Sequence, residues 1–101
     1  MSRTLEVLIS FHRAKTENIT DITLRQAIRE ALVRVLGEAG SVMVEWNVFR
    51  ISSEDGENTM KAEISVNPAN KKQLCDFILA LGQLNSVSNE RVTTNVIASS
   101  A

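Results

Sequence analysis

The chain has 101 residues, of which 44% are hydrophobic and 23% are charged, and its formal net charge is −1. This length and composition predict one domain, residues 1–101, with a single core. The near-neutral charge argues against a mainly electrostatic nucleic-acid binder, which carries a basic excess. A single cysteine rules out an internal disulfide, and no apolar run approaches the roughly 18 residues that cross a bilayer.

A first strand is predicted over residues 5–11, because apolar side chains occupy alternate positions there. The predicted inward face consists of Leu5, Val7, Ile9 and Phe11. Leu8 falls on the opposite face. Residues 12–22 are polar and predict a connecting loop, long enough to be a binding loop.

The strongest helical pattern of the chain follows this loop. Apolar residues recur at spacings of three and four over residues 24–36, which places them in one stripe of a helix. Thr23 and Gln26 match a capping box, so Thr23 is the predicted N-cap. Gly37 or Gly40 is predicted to end the helix with a left-handed backbone conformation.

A second strand is predicted over residues 42–51, and it carries apolar side chains on both faces. One face has Val42, Val44, Trp46 and Val48, and the other has Met43, Phe49 and Ile51. Two explanations remain open from the sequence. Either a β-bulge resets the register, or the second face is also covered by other residues.

The third strand and its turn have a clearer pattern. Residues 52–58 are polar and contain Asp55-Gly56, a dipeptide typical of β-hairpin turns. Residues 59–66 then alternate between apolar and polar side chains, which predicts a strand with one buried face.

The second helix is predicted to have Asn67 as its N-cap and Pro68 at its first position, and to end near Leu84. Its buried stripe consists of Leu74, Phe77, Ile78, Leu81 and Leu84. Val87 is predicted to fill the core from a return loop. Alternation from Val92 onwards predicts a fourth strand.

The predicted order is therefore β-α-β-β-α-β. Two helices with one apolar stripe each must cover a sheet, and right-handed crossovers place both on the same face. We predict an α+β protein with a ferredoxin-like sandwich: a four-stranded antiparallel sheet in the order 4-1-3-2, with two helices on one face.

The residues that could carry chemistry are few and scattered. His12 is the only histidine and is predicted to be a polar residue at a strand end, because no second histidine or cysteine supports a metal site. Cys75 is predicted to be half-buried on the second helix rather than a nucleophile. Glu54, Asp55 and Glu57 are predicted to form a solvated turn. The sequence thus predicts no enzyme, no cofactor and no metal.

Apolar residues left over by this fold predict an interaction surface. Leu8, Phe49 and Ile51 are expected on the sheet face opposite the helices, and Trp46 completes the candidate interface. The expected partner is a second copy, giving a homodimer, or another domain, through this face or through edge strands two or four. Central strands without exposed aromatic residues argue against RNA stacking on the sheet.

The segment LGQLNSV, residues 81–87, resembles the end of the second helix in ACT-like regulatory domains. Over nearly the whole chain the pattern is similar to the C-terminal cytosolic domain of MgtC/SapB-type membrane proteins. Those domains also begin with an alternating strand, contain a helix like LRQAIREALVRVLGEAG, and finish with a leucine repeat before a valine. The resemblance implies a cytoplasmic, ACT-like regulatory domain whose membrane-crossing part lies elsewhere in the parent protein.

ACT domains that bind amino acids have a glycine near the start of the first helix, and residues 18–24 contain none. The resemblance therefore implies an interaction module without an amino-acid site. Two alternatives remain open. One is a sensor that holds an amino acid or a divalent cation between residues 12–22 and the first helix, and the other is a small enzyme with a pocket on the sheet face.

Overall fold

The computed structural model describes residues 2–13, 19–53, 58–88 and 90–100. The elements in chain order are β1 (Arg3–Phe11), α1 (Asp21–Val42), β2 (Glu45–Ser53), β3 (Thr59–Asn67), α2 (Lys71–Gly82), β4 (Ser86–Val87) and β5 (Glu90–Ser100). The strands lie in the order β2-β3-β1-β5-β4, and neighbouring strands are antiparallel. The predicted α+β class is confirmed.

Over the described residues the sheet has five strands, so the prediction of four was wrong. The extra strand arises because the residues before the last long strand turn back on it as a hairpin. β4 pairs with the start of β5 through Ser86↔Arg91 and Val87↔Glu90. Val87, which was expected in a loop, is fully buried in this strand. The order of the four long strands agrees with the predicted 4-1-3-2.

Both helices have N-caps three residues away from the predicted ones. Thr20 caps α1, since its hydroxyl accepts a hydrogen bond from the Thr23 amide at 3.3 Å. Asn70 caps α2 by accepting from the Gln73 amide at 2.8 Å. Asn67 cannot begin the helix, because it still belongs to β3. A side-chain oxygen that accepts a hydrogen bond from an amide three residues later is sufficient for capping.

A kink interrupts α1 at Gly37, whose backbone has a φ of 78°. Of the two glycines predicted to adopt this conformation, Gly37 does so, and residues with a side chain would be strained there. The helix then resumes for one further turn, in which the Ser41 hydroxyl donates to the Glu38 carbonyl at 2.8 Å. This turn brings the chain to the start of β2.

The core lies between one face of the sheet and the two helices. Alternate residues of β1 and β3 are buried, and they form one cluster with the buried residues of α1 and α2. Both helices therefore cover the same face. The largest fully buried side chains include Phe77, Leu5, Ile9, Leu24, Ile28, Leu32, Met60, Ile64 and Leu81. Each such burial is worth about 1.5–3 kcal/mol, so this layer supplies most of the stabilisation.

A β-bulge accounts for the two apolar faces predicted for β2. The pairing of β2 with β3 shifts by one residue between Val48 and Arg50, so Phe49 is the extra residue. As a result, Trp46 and Ile51 both pack against the core although Phe49 separates them. Of the two explanations left open by the sequence, the bulge is correct.

Within the described ranges, no helix is both long enough and apolar enough to cross a membrane.

Candidate protein-interaction site

The four residues of the predicted interface are divided between the core and the surface. Trp46 and Ile51 pack against the core, and the Trp46 ring centroid lies 6.2 Å from that of Phe77. The expected placement of Ile51 on the open face is therefore wrong, because the bulge moves it to the helix-covered face. Trp46, the other interface candidate in this strand, lies on the same helix-covered face. Leu8 lies on the open face and is partly buried, and Phe49 is 48% exposed at the bulge.

The open face of the sheet is polar rather than apolar. Lys61 Nζ lies 3.7 Å from a Glu6 carboxylate oxygen, and Arg50 Nε lies 3.3 Å from a Glu63 carboxylate oxygen. Glu6 and Glu63 are direct cross-strand neighbours, so each basic side chain offsets their repulsion. Exposed ion pairs contribute at most about 1 kcal/mol. This face is a solvated surface with alternating charges and not an apolar interface. The remaining candidates for an interface are the edges of the sheet.

β2 forms one outer edge, and several features protect it. Glu45 and Arg50 place charges along the strand, and the bulge interrupts its regular spacing. The Arg25 guanidinium from α1 donates to the Val48 carbonyl at 2.9 Å and lies 3.5 Å from the Asp21 carboxylate. A charged, irregular edge with an occupied backbone acceptor resists the addition of another strand.

β5 forms the opposite edge over most of its length. β4 pairs only with Glu90 and Arg91, and the Val92 amide donates to the Asn85 carbonyl at 3.0 Å, which ends the covered stretch. In the part of the chain that the structure describes, no strand pairs with the outer side of residues 93–100. We call residues 93–100 the free edge of β5. It contains no charged residue.

Backbone hydrogen bonds show which groups the free edge presents. The His12 amide donates to the Arg91 carbonyl at 3.0 Å, whereas the Val92 amide is directed away from β1. Because these directions alternate along an antiparallel strand, Thr94 and Val96 also direct their backbone amide and carbonyl groups outwards. Such groups are the template on which an added strand pairs.

The free edge has its own bulge and a firm attachment to the core. The register of β5 against β1 shifts between Val96 and Ala98, so Ile97 is the extra residue, and it is 46% exposed. The buried Thr94 hydroxyl donates to the Leu84 carbonyl at 3.1 Å. This bond fixes the strand from the core side and leaves its outer side open.

The other residues singled out in the sequence do not form a common site. A ring nitrogen of His12 lies 2.9 Å from the Thr93 hydroxyl, and both residues are exposed. Cys75 is exposed, which corrects the expectation that it is half-buried. The predicted acidic turn, Glu54, Asp55 and Glu57, lies outside the described residues. Elsewhere in the described chain, no group of three or more histidine, cysteine, aspartate or glutamate side chains could hold a metal ion.

A groove runs between α1 and β4 and has a volume of about 340 Å³. Its lining consists of Thr23, Gln26, Ala27, Glu30, Ser86 and Ser88. The groove shares the first half of α1 with the ligand position that was considered from the sequence, but its other side is the β4 region and not residues 12–22. Its lining is mainly polar, so it offers hydrogen-bonding groups but little apolar surface.

Sequence reasoning named the last strand only as one of two possible edges. The signal that distinguishes it is a run of residues from Val92 to Ser100 that is rich in β-branched side chains and lacks charge. Such runs are typical of strands that pair readily. The protection of β2 by Arg25 could not be read from the sequence, because it depends on where α1 crosses the sheet.

Neither a protein-family model nor a curated protein matches this chain. Among solved structures, it is similar to an amidase of the hydantoinase/carbamoylase family from Burkholderia phymatum, with a TM-score of 0.55 and 16% identity over 96% of this chain. It is also similar to AtUAH in complex with (S)-hydroxyglycine, with a TM-score of 0.50 and 11% identity over 94% of this chain. The CRISPR associated protein Cas6 gives a TM-score of 0.50 and 11% identity over 97%.

The chain spans 27% of the amidase, 28% of AtUAH and 49% of the Cas6 chain. At these identities the likeness shows the fold alone. The printed names include both an amidase and a CRISPR associated protein, so the fold by itself does not select a function.

Proposed function

We propose that this chain is a non-enzymatic, regulatory protein-interaction domain that binds its partner by strand addition at the free edge of β5. The observation that carries the proposal is that, among the described residues, the outer side of β5 is occupied no further than Val92, by β4 and by the Asn85 carbonyl. Strand addition uses backbone hydrogen bonds for affinity and side chains at alternate positions for specificity. The free edge offers both, and it has no charge that a partner would need to neutralise.

The finer fold assignment belongs to the same proposal. We assign the four long strands and two helices to a ferredoxin-like, ACT-like arrangement, with β4 as an additional short strand. The order of the long strands and the single helix-covered face support this assignment. The resemblance of residues 81–87 to ACT-like domains supports it from the sequence side.

We also propose that the domain is the soluble, cytosolic part of an MgtC/SapB-type membrane protein, in which partner binding alters the attached membrane part. Reading the gene on both sides of this coding segment tests the proposal. We expect several apolar spans of about 20 residues, the length that crosses a bilayer. A complete reading frame without any such span would contradict this origin and leave the interaction proposal intact.

Photo-cross-linking in the cells that carry the gene tests the interaction. Asn95 on β5 and Asn47 on β2 are a matched pair, because both are exposed asparagines on the open side of an outer strand. A photoreactive residue replaces each in turn, and mass spectrometry identifies the adducts. We expect a specific adduct at position 95, little or none at position 47, and loss of the adduct when Val96→Pro is added.

The result that contradicts the proposal is equally concrete. No adduct at position 95, or equal adducts at positions 95 and 47, would show that the β5 edge is not a binding site. An adduct that survives Val96→Pro would show that backbone pairing is not the mode of binding, because proline removes the outward amide of that residue.

The groove beside α1 favours one alternative, a sensor of a small ligand such as an amino acid or a divalent cation. Glu30 and Gln26 contribute a carboxylate and an amide to its lining. Thermal unfolding with each of the twenty amino acids and with Mg²⁺ tests this alternative, since a ligand that binds only the folded state raises the midpoint. Glu30→Gln should remove any stabilisation by Mg²⁺, and no change with any of these probes would exclude the alternative.

A further inference from the structure

The start of the free edge is fixed by its neighbours. Asn85 and β4 occupy the outer side of β5 up to Val92. An added strand therefore pairs from residue 93 onwards, where Thr94 and Val96 direct their backbone groups outwards.

The bulge at Ile97 lies within this edge, and it restricts the choice of partner. Ile97 adds one residue between the pairing positions of Val96 and Ala98. A regular strand has one residue too few to follow the edge through the bulge. A second copy related by a two-fold axis near Ile97 supplies the same extra residue at the same level, so the two edges match in shape.

The absence of charged residues from the free edge and the exposure of Ile97 both favour pairing with a second copy. Antiparallel pairing of identical strands places like residues near each other at the axis, which is unfavourable for charged side chains. The free edge carries none. Near the axis it instead presents Ile97, an apolar side chain that is 46% exposed and would be covered by the second copy.

We infer that the partner of the free edge is a second copy of this chain, joined by antiparallel pairing of β5 with β5 about a two-fold axis next to Ile97. The inference rests on the proposed function and specifies its partner. The dimer has one continuous sheet with all four helices on the same face, because the axis runs perpendicular to the sheet. The interface is isologous, since each copy contributes the same residues.

A charge exchange at Ile97 tests the position of the axis. Ile97→Asp and Ile97→Lys each place two like charges within about one residue step of the axis, and their mixture places opposite charges there. Sedimentation equilibrium measures the dissociation constant of the wild-type dimer, of each variant and of the equimolar mixture. Phe49→Asp is the matched control, because Phe49 is the corresponding bulge residue of β2 and has similar exposure, 48%.

We expect a wild-type dimer that each Ile97 variant weakens roughly five- to tenfold, with recovery in the mixture and no effect of Phe49→Asp. Recovery in the mixture requires both variants to be folded, so misfolding cannot imitate it. A wild-type chain that remains monomeric at millimolar concentration would overturn the inference. A dimer that is indifferent to both Ile97 variants, or that Phe49→Asp dissociates, would also overturn it.

Amide hydrogen exchange gives a second measurement that needs no substitution. The outward amide of Val96 should exchange more slowly as the protein concentration rises through the dissociation constant, whereas the amides of β2 should not change. Exchange that is independent of concentration at Val96 would count against the paired edge.

The outcomes separate this inference from the proposed function. In one outcome the purified chain is monomeric but still forms an adduct at position 95 with another protein, and Val96→Pro abolishes that adduct. This result would contradict self-association and would be consistent with an interaction domain. In another outcome no adduct forms at position 95 in cells, and a dimer forms only in concentrated solution. This result would contradict the proposed function and would be consistent with the proposed pairing of β5 with β5.

Discussion

Phe49 on β2 and Ile97 on β5 occupy corresponding places, because each is the extra residue of a bulge on an outer strand, and they are 48% and 46% exposed. The surroundings of the two residues differ. At β2, Arg25 occupies the Val48 carbonyl. At β5, the nearest side-chain bond to the backbone runs inwards, from Thr94 to Leu84.

This difference teaches that a bulge alone does not close a sheet edge. Bulges are one of several devices that reduce strand addition, together with charges and coverage by other elements. β2 combines the bulge with the charges of Glu45 and Arg50 and with the Arg25 contact. Over the described residues, the free edge of β5 has the bulge without the other two, so the same irregularity becomes a feature that a matching strand can recognise.

Val96→Pro should have the largest effect of the substitutions that test this difference, and the effect is on dimer affinity through the β5 edge. Proline removes the outward amide and places its ring towards the partner strand, and the change occurs twice in a symmetric dimer, so we expect dimer affinity to fall at least about a hundredfold. Val96→Ala is the control, because it removes part of the side chain and keeps the amide. Sedimentation should show a near-normal dimer for Val96→Ala, and equal losses in both variants would argue against backbone pairing.

Arg25→Ala should be the strongest test of the protected edge. The substitution leaves the Val48 carbonyl without its guanidinium donor, so we expect the free energy of unfolding to fall by about 1–2 kcal/mol. Urea denaturation followed by the fluorescence of Trp46, the single tryptophan, measures this loss. We also expect association beyond the dimer, because the β2 edge becomes accessible.

Asp21→Asn is the matched control for Arg25→Ala. It removes the exposed ion pair with Arg25 and leaves the bond to Val48 in place. Its cost should stay below about 0.5 kcal/mol, since exposed pairs within a helix contribute little. If both variants cost the same, the contact with Val48 does not protect the edge.

Thr94→Val should lower the free energy of unfolding without changing the backbone groups that the β5 edge presents. It removes the buried hydroxyl that donates to the Leu84 carbonyl, which should cost about 1 kcal/mol. Thr94→Ser keeps the hydroxyl and should recover most of that loss. Dimer affinity should change less than stability, and a collapse of the dimer in Thr94→Val would mean that this bond shapes the outer side of the strand.

The smallest effects are expected from Asn47→Lys and Asn95→Lys. Both are surface substitutions and should change the free energy of unfolding by less than about 0.5 kcal/mol. Asn95→Lys places a charge on the free edge and should weaken the dimer a few-fold, whereas Asn47→Lys on β2 should leave it unchanged. Isothermal dilution calorimetry compares the two, and a reversed order would assign the interface to β2.

Much of the fold could be predicted from residues whose pattern is local. The alternation of Leu5, Val7 and Ile9 and the helical repeat from Leu24 to Leu36 both correspond to buried faces. These patterns work because burial on one side of an element imposes its period on the sequence. The order of the long strands then followed from the handedness of the two crossovers.

The errors came from features that depend on distant parts of the chain. Ile51 was expected on the open face, since the position of the bulge is set by pairing with β3 and not by β2 itself. Thr23 was predicted as the cap because Thr23 and Gln26 match a capping box, whereas Thr20 caps the helix in the structure. The hairpin that buries Val87 was missed because two paired residues leave almost no periodic signal.

The two residues of β4 determine where an added strand can begin to pair with β5. They fill the first positions beside β5, so an incoming strand starts pairing at residue 93. A segment that extends further in the direction of β4 must leave the sheet at that boundary. Lengthening or shortening the β4–β5 hairpin would therefore change which residue of β5 is the first to pair with an added strand.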